Sequence, residues 1–104
     1  VKMTKTVYVK EGTKGQTYTF TFENVDYSSY SARINIWSDS TLLVDGSSCS
    51  VSYDGTDTTV SYVVESSATA TSGEYLAEIV FYESTTFIEA SETFRWIVKS
   101  GEAL

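Results

Sequence analysis

The chain has 104 residues, of which 41% are hydrophobic and 20% charged; this is the composition of one folded domain, long enough for a single core and too short for two. Seven basic against fourteen acidic side chains leave a net charge of −7, which argues against a partner held by its phosphate backbone, since that needs clustered lysines and arginines. No stretch is apolar for the length of a membrane-spanning helix, and the absence of histidine rules out Ser-His-Asp and Cys-His nucleophiles and histidine-bound zinc.

Period-2 alternation runs through nearly every segment, and the mix of Thr, Val, Tyr and Phe favours strands. A first strand is expected over Thr4 to Lys10, with Val7 and Val9 on one face and Lys2, Lys5 and Lys10 guarding its edge. Glu11-Gly12-Thr13-Lys14-Gly15 then turns the chain. The second strand, Gln16 to Glu23, sets Tyr18, Phe20 and Phe22 inward against Thr17, Thr19 and Thr21. The third, Ser31 to Trp37, places Ala32, Ile34 and Ile36 on one face and Arg33, Asn35 and Trp37 on the other.

A short piece, Thr41 to Val44, follows. Asp45-Gly46 and Asp54-Gly55 both read as hairpin turns, because those residues tolerate positive φ. Between them runs a strand carrying Cys49, a lone cysteine that cannot form an internal disulfide and is expected as a small buried hydrophobe without a neighbouring base. Thr58, Val60, Tyr62 and Val64 then alternate with Thr59 and Ser61.

After the polar link Ser66 to Ser72, the run "SGEYLAEIVFY" puts Gly73 before Tyr75, and Tyr75, Ala77, Ile79 and Phe81 on one face. A tyrosine two residues ahead of a core position, after a turn, fits a tyrosine corner, with Ala77 where immunoglobulin-type sandwiches carry a cysteine. The last strand, Ser91 to Lys99, sets Phe94, Trp96 and Val98 against Arg95, Ile97 and Lys99. The expected fold is therefore all-β: an immunoglobulin-like antiparallel β-sandwich of seven to eight strands without a disulfide, formed by residues 1–99, with residues 100–104 as a short flexible tail.

Acidic pairs such as Asp54 and Asp57, or Glu89 and Glu92, sit in or beside turns, where solvated carboxylates are the ordinary outcome. The aspartates of residues 39–45 and 54–57 lack the dense oxygen spacing of a calcium loop, and Gly12 and Gly15 open no phosphate-binding helix. No enzyme activity, cofactor or metal is expected. Two binding surfaces are. One is the outer face of the third, sixth and last strands: Arg33, Trp37, Leu76, Val80, Tyr82, Arg95 and Ile97, where aromatic, apolar and arginine side chains mix as interface anchors do. The other is a loop end formed by "NVDYSSY" (residues 24–30) and "ESTTFIEA" (residues 83–90), presenting Tyr27, Tyr30, Phe87 and Ile88 among small polar groups.

The order of features "EGTKGQTYTFTF", "SARINIW", "LLVDGSS", "TATSGEYLAEIVFY" and "ETFRWIV" resembles a group of tailed-bacteriophage virion proteins. These carry an immunoglobulin-like sandwich similar to the N-terminal domain of baseplate upper proteins. Thr71, Gly73 and Tyr75 carry the sharpest part of the likeness. The resemblance implies a non-enzymatic structural module located in the virion, whose partners are other virion proteins or copies of itself; from charge and apolar patterning, neither nucleic acid nor membrane is expected as a partner. The alternative is an extracellular or cell-surface adhesive module that stacks a glycan on Tyr27, Tyr30 and Phe87.

Overall fold

A computed structural model describes residues 6–39 and 41–100. Among the described residues eight strands are formed: β1 Thr6–Lys10, β2 Thr17–Phe22, β3 Ser31–Trp37, β4 Leu42–Tyr53, β5 Thr58–Val63, β6 Gly73–Glu83, β7 Thr86–Ala90 and β8 Phe94–Lys99, with one 3-10 turn over Ser66–Thr69. The expected Lys2 and Lys5 guards, the first residues of the expected first strand and most of the expected tail lie outside the described residues.

Pairing divides the strands into two layers. The larger sheet has the order β1-β8-β6-β3-β4, with β7 paired to the far end of β6, and the smaller has the order β4-β5-β2. β4 belongs to both, because its residues up to Cys49 pair with β3 and those from Ser50 to Tyr53 pair with β5. All pairs are antiparallel except β1 with β8, which run parallel. Together these pairings make an immunoglobulin-like β-sandwich, and its lone cysteine, Cys49, is free.

The core between the layers is assembled by alternation. Val7 and Val9 come from β1, Phe20 and Phe22 from β2, Ile34 and Ile36 from β3, Val60 and Tyr62 from β5, and Phe94, Trp96 and Val98 from β8. Each side chain there excludes water at roughly 1.5–3 kcal/mol, so packing alone can stabilise the fold. Rings interlock edge to face, as Phe22 does with Phe81 at 5.3 Å and Tyr18 with Trp96 at 5.8 Å. Trp96 also donates its indole N–H to the Ala68 carbonyl at 2.9 Å, which ties the 3-10 turn to β8.

The tyrosine corner is present. Tyr75 donates its hydroxyl to the Thr71 carbonyl at 2.9 Å. Gly73 holds φ at +153°, and a Cβ there would lie 3.4 Å from that same hydroxyl, so glycine lets the ring fold back over the turn. Ala77 is fully buried, which leaves the position where a cysteine was the precedent filled by packing.

Two expected features differ. Asp45-Gly46 is no hairpin: β4 runs straight through it. Ile34 pairs with Ser47 while Ile36 pairs with Val44, so the chain carries an extra residue opposite Asn35. Gly46, at φ +70°, makes a glycine bulge in a continuous strand. Asp54-Gly55 does turn the chain, closed by Asp54 N–H on the Asp57 carbonyl and by the Asp54 carboxylate accepting from Thr56 and Asp57. Residues 83–90, expected as one loop, instead make a tight turn and then β7, and β8 starts only at Phe94. Between them Ser91 mends the break: its N–H donates to the Ile79 carbonyl, and its hydroxyl accepts from the Ile79 N–H at 2.9 Å.

Candidate functional site

Register decides what the outer face of the larger sheet presents. Crossing it from β4 to β1, one rung reads Leu42, Trp37, Leu76, Arg95 and Thr6. Further along, Ser48, Arg33, Val80 and Ala90 form another rung. The last reads Ser31, Tyr82 and Phe87. Between the Trp37 and Arg33 rungs stand Asn35 and Glu78, joined by Asn35 Nδ2 donating to Glu78 Oε2 at 3.1 Å. Asn35 Oδ1 accepts from Gly46 N–H at 2.7 Å. This polar clasp divides the face into two apolar patches.

At the first patch Leu42 is 59% and Leu76 43% exposed beside a half-buried Trp37. Arg95 borders it but is committed to Glu74, 2.6 Å away. An exposed pair of this kind contributes at most about 1 kcal/mol.

The second patch depends on a bulge. Phe81 pairs with Glu89 and Tyr82 with Phe87, so Phe87 and Ile88 together stand opposite Tyr82. The Phe87 ring, 58% exposed, meets Tyr82 edge to face at 6.2 Å. On the other side of Tyr82 lies the Arg33 guanidinium, 4.8 Å from the ring centroid. Such a stack holds a cation in place at about 0.5–1 kcal/mol. Among the described residues Arg33 has no carboxylate partner; the ion pair there is Arg95 with Glu74.

Two members of the expected face are not exposed. Val80 and Ile97 alternate outward as expected but are 3% and 7% exposed. Val80 is flanked in register by Arg33, whose side chain reaches toward Tyr82, and by Ala90; Ile97 is flanked by Tyr8 and Glu74. Long side chains beside them, Arg33 next to Val80 and Tyr8 and Glu74 next to Ile97, shield outward apolar groups of this kind. Tyr8 was not among the expected site residues, yet it is the most exposed aromatic of this face and carries the Lys99 ammonium 5.4 Å from its ring. Its place in an alternating Thr-Val-Tyr-Val-Lys strand, opposite in parity to Val7 and Val9, was the available signal.

The expected loop end is split. Tyr27 and Tyr30 are half-buried and pack against the core. Tyr27 lies 4.3 Å from Phe81 and 6.2 Å from Tyr30, its N–H donates to Thr58 Oγ1 at 2.9 Å, and its hydroxyl donates to the Glu89 carboxylate. Burial, then that hydrogen bond, pushes the Tyr27 hydroxyl pKa well up, and the same bond holds the Glu89 carboxyl below its ordinary value. Phe87 and Ile88 lie on β7 rather than in a loop, opposite Tyr82 in register, with the Phe87 ring against Tyr82. Cys49 is half-buried, and burial followed by the Glu65 charge pushes its thiol up to about 12, the opposite of an activated nucleophile.

No protein-family model matches the sequence, and no curated protein matches it. Among solved structures the chain is similar to an I-band fragment, I67–I69, from titin at 15% identity, covering 89% of this chain with a TM-score of 0.29. It spans 29% of that fragment's length. It is also similar to the M1 domain from titin at 9% identity, covering 93% of this chain and 91% of that one with a TM-score of 0.32.

Proposed function

We propose that this domain is a non-enzymatic assembly module of a tailed-phage virion, docking onto neighbouring proteins through the outer face of its larger sheet. The carrying observation is the bulged corner of that face, where Phe87 and Ile88 stand beside Tyr82 and Arg33 lies over the same ring without a carboxylate partner among the described residues. Aromatic rings with an arginine held between water and an apolar surface are the composition of interface anchors. The Trp37, Leu76 and Leu42 patch extends the face beyond the polar clasp. The virion setting rests on the feature order that resembles phage proteins; the docking face rests on the geometry.

Light scattering across concentration, alone and with candidate virion partners, tests the reading with Trp37→Ala and Phe87→Ser. Truncating an anchor typically weakens a complex by more than about 1 kcal/mol, roughly a fivefold change or larger. A strict monomer whose binding to every virion partner ignores both changes would overturn the proposal. The exposed Phe87 ring supports the glycan alternative as well; a glycan-array signal lost in Phe87→Ser would favour an adhesive module on the cell surface instead.

A further inference from the structure

We infer that the outer face of the larger sheet receives the acidic loop end of a second copy of this chain. The inference rests on the docking-face reading and names the occupant of that face. The described lysines and arginines are unevenly placed. Of the five, Lys14 lies in the β1–β2 connection, and Lys10, Arg33, Arg95 and Lys99 stand at exposed outward positions of this sheet, Lys10 directly opposite Lys99 in the β1–β8 register. Like charges facing each other across a strand pair repel, so this edge gains from an anion. Of the face's own carboxylates, Glu74 is bound to Arg95 and Glu78 accepts from Asn35, while exposed Asp45 stands at the β4 bulge opposite Asn35. Arg33, Lys10 and Lys99 have no carboxylate partner among the described residues.

Five of the thirteen described carboxylates are gathered at one end of the sandwich. Residues 23–30, 54–57 and 83–86 carry Glu23, Asp26, Asp54, Asp57 and Glu83 and not one lysine or arginine. Hydrogen bonds gather these segments: Asn24 N–H donates to Asp57 Oδ1 at 3.0 Å, and Tyr27 joins Thr58 on β5 and Glu89 on β7. The foremost carboxylates are also held still. Asp26 accepts from the Ser28 N–H and hydroxyl, and Asp54 from the Thr56 and Asp57 N–H groups.

Preorganised anions at the end of one copy thus match a preorganised guanidinium, Arg33 on Tyr82, on the face of the next, and little side-chain freedom is lost on contact. End and face are different surfaces that adjoin at the Ser31, Tyr82 and Phe87 rung, so the contact joins unlike surfaces of the two copies. Charge complementarity favours this occupant over an unrelated apolar segment, which would leave the cations buried and unpaired.

Sedimentation velocity at rising protein concentration tests the inference, using near-isosteric exposed variants that keep the turn hydrogen bonds. Wild type should self-associate at about 50 mM NaCl and weaken at least tenfold by about 500 mM. A face variant, Arg33→Gln, and an end variant, Asp26→Asn with Asp54→Asn, should each remain monomeric. Mixed, they should form a 1:1 complex that grows no further, because one intact end meets one intact face. Wild-type protein that is monomeric at low salt, or association unmoved by salt and by both variants, overturns the inference. In the second case loss of association in Phe87→Ser would leave the docking-face reading standing. A mixture of the two variants that stays monomeric overturns the end-to-face contact.

Discussion

Tyr75 shows how one side chain does two jobs. Its ring completes the inward row with Ala77, Ile79 and Phe81, and its hydroxyl takes up the Thr71 carbonyl that the turn would otherwise leave to water. Tyr75→Phe keeps the ring and removes the bond, so it should destabilise the domain by about 1 kcal/mol. Urea unfolding reads this as a lower midpoint at an unchanged slope; an unchanged midpoint would mean the corner bond contributes nothing. Cys49 is the contrasting residue. Burial and Glu65 suppress its ionisation, so it packs as a small apolar group. Arg33 is different again: its worth depends on what meets it, since it lies over the Tyr82 ring and has no carboxylate partner among the described residues.

At the scale of elements, bulges distinguish this sandwich from a regular one. In β4, Gly46 lets the chain absorb an extra residue without leaving β3, and its N–H is directed at Asn35 Oδ1. A Cβ at Gly46 would meet only Arg33 Cδ at 3.8 Å and Asn35 Oδ1 at 4.0 Å, which is ordinary contact. The expected cost of Gly46→Ala is therefore backbone strain alone, about 1–2 kcal/mol. Chemical denaturation should show that loss; a neutral result would mean that the bulge relaxes. In β7 a bulge of the other strand sets Phe87 and Ile88 together opposite Tyr82. The same irregularity that blunts an edge strand against uncontrolled pairing here builds the apolar corner of the docking face.

For the whole molecule, pH dependence follows from groups whose ionisation folding changes. In the unfolded chain Cys49 ionises near its ordinary 9.0, but in the folded domain only near about 12. Between those values the unfolded state holds fewer protons, so stability present below pH 9 is lost as pH rises. Tyr27 and Tyr62, both pushed up from 10.0 chiefly by burial, add to the same alkaline decline. On the acid side the Glu89 carboxyl lies below its ordinary 4.5, chiefly through the Tyr27 hydroxyl. Its contribution is present above 4.5 and is lost as pH falls through the lower folded value. Thermal unfolding should therefore show a plateau between roughly pH 5 and 9. Cys49→Ala should flatten the first part of the alkaline limb; a wild-type profile flat to pH 11 would contradict this account.

Much of this was legible in the chain itself. Val7 and Val9, the rows Phe20-Phe22, Ile34-Ile36 and Tyr75-Ala77-Ile79-Phe81, the limits of β3 and the tyrosine corner all follow from alternation and turn chemistry. Those are properties of a few neighbouring residues and of the two-residue period of an extended backbone. Tertiary structure alone decided the rest. Gly46 can close a hairpin or form a bulge with the same positive φ, and only the register against β3 chooses. Phe87-Ile88 breaks alternation, so β7 is hidden until Tyr82 lies opposite. Val80 and Ile97 face outward yet are buried in the sheet, and Tyr27 is drawn inward by Phe81, Thr58 and Glu89 with Tyr30 packed beside it. Each of these outcomes depends on how strands far apart in sequence are set against one another, and local pattern carries no information about that register.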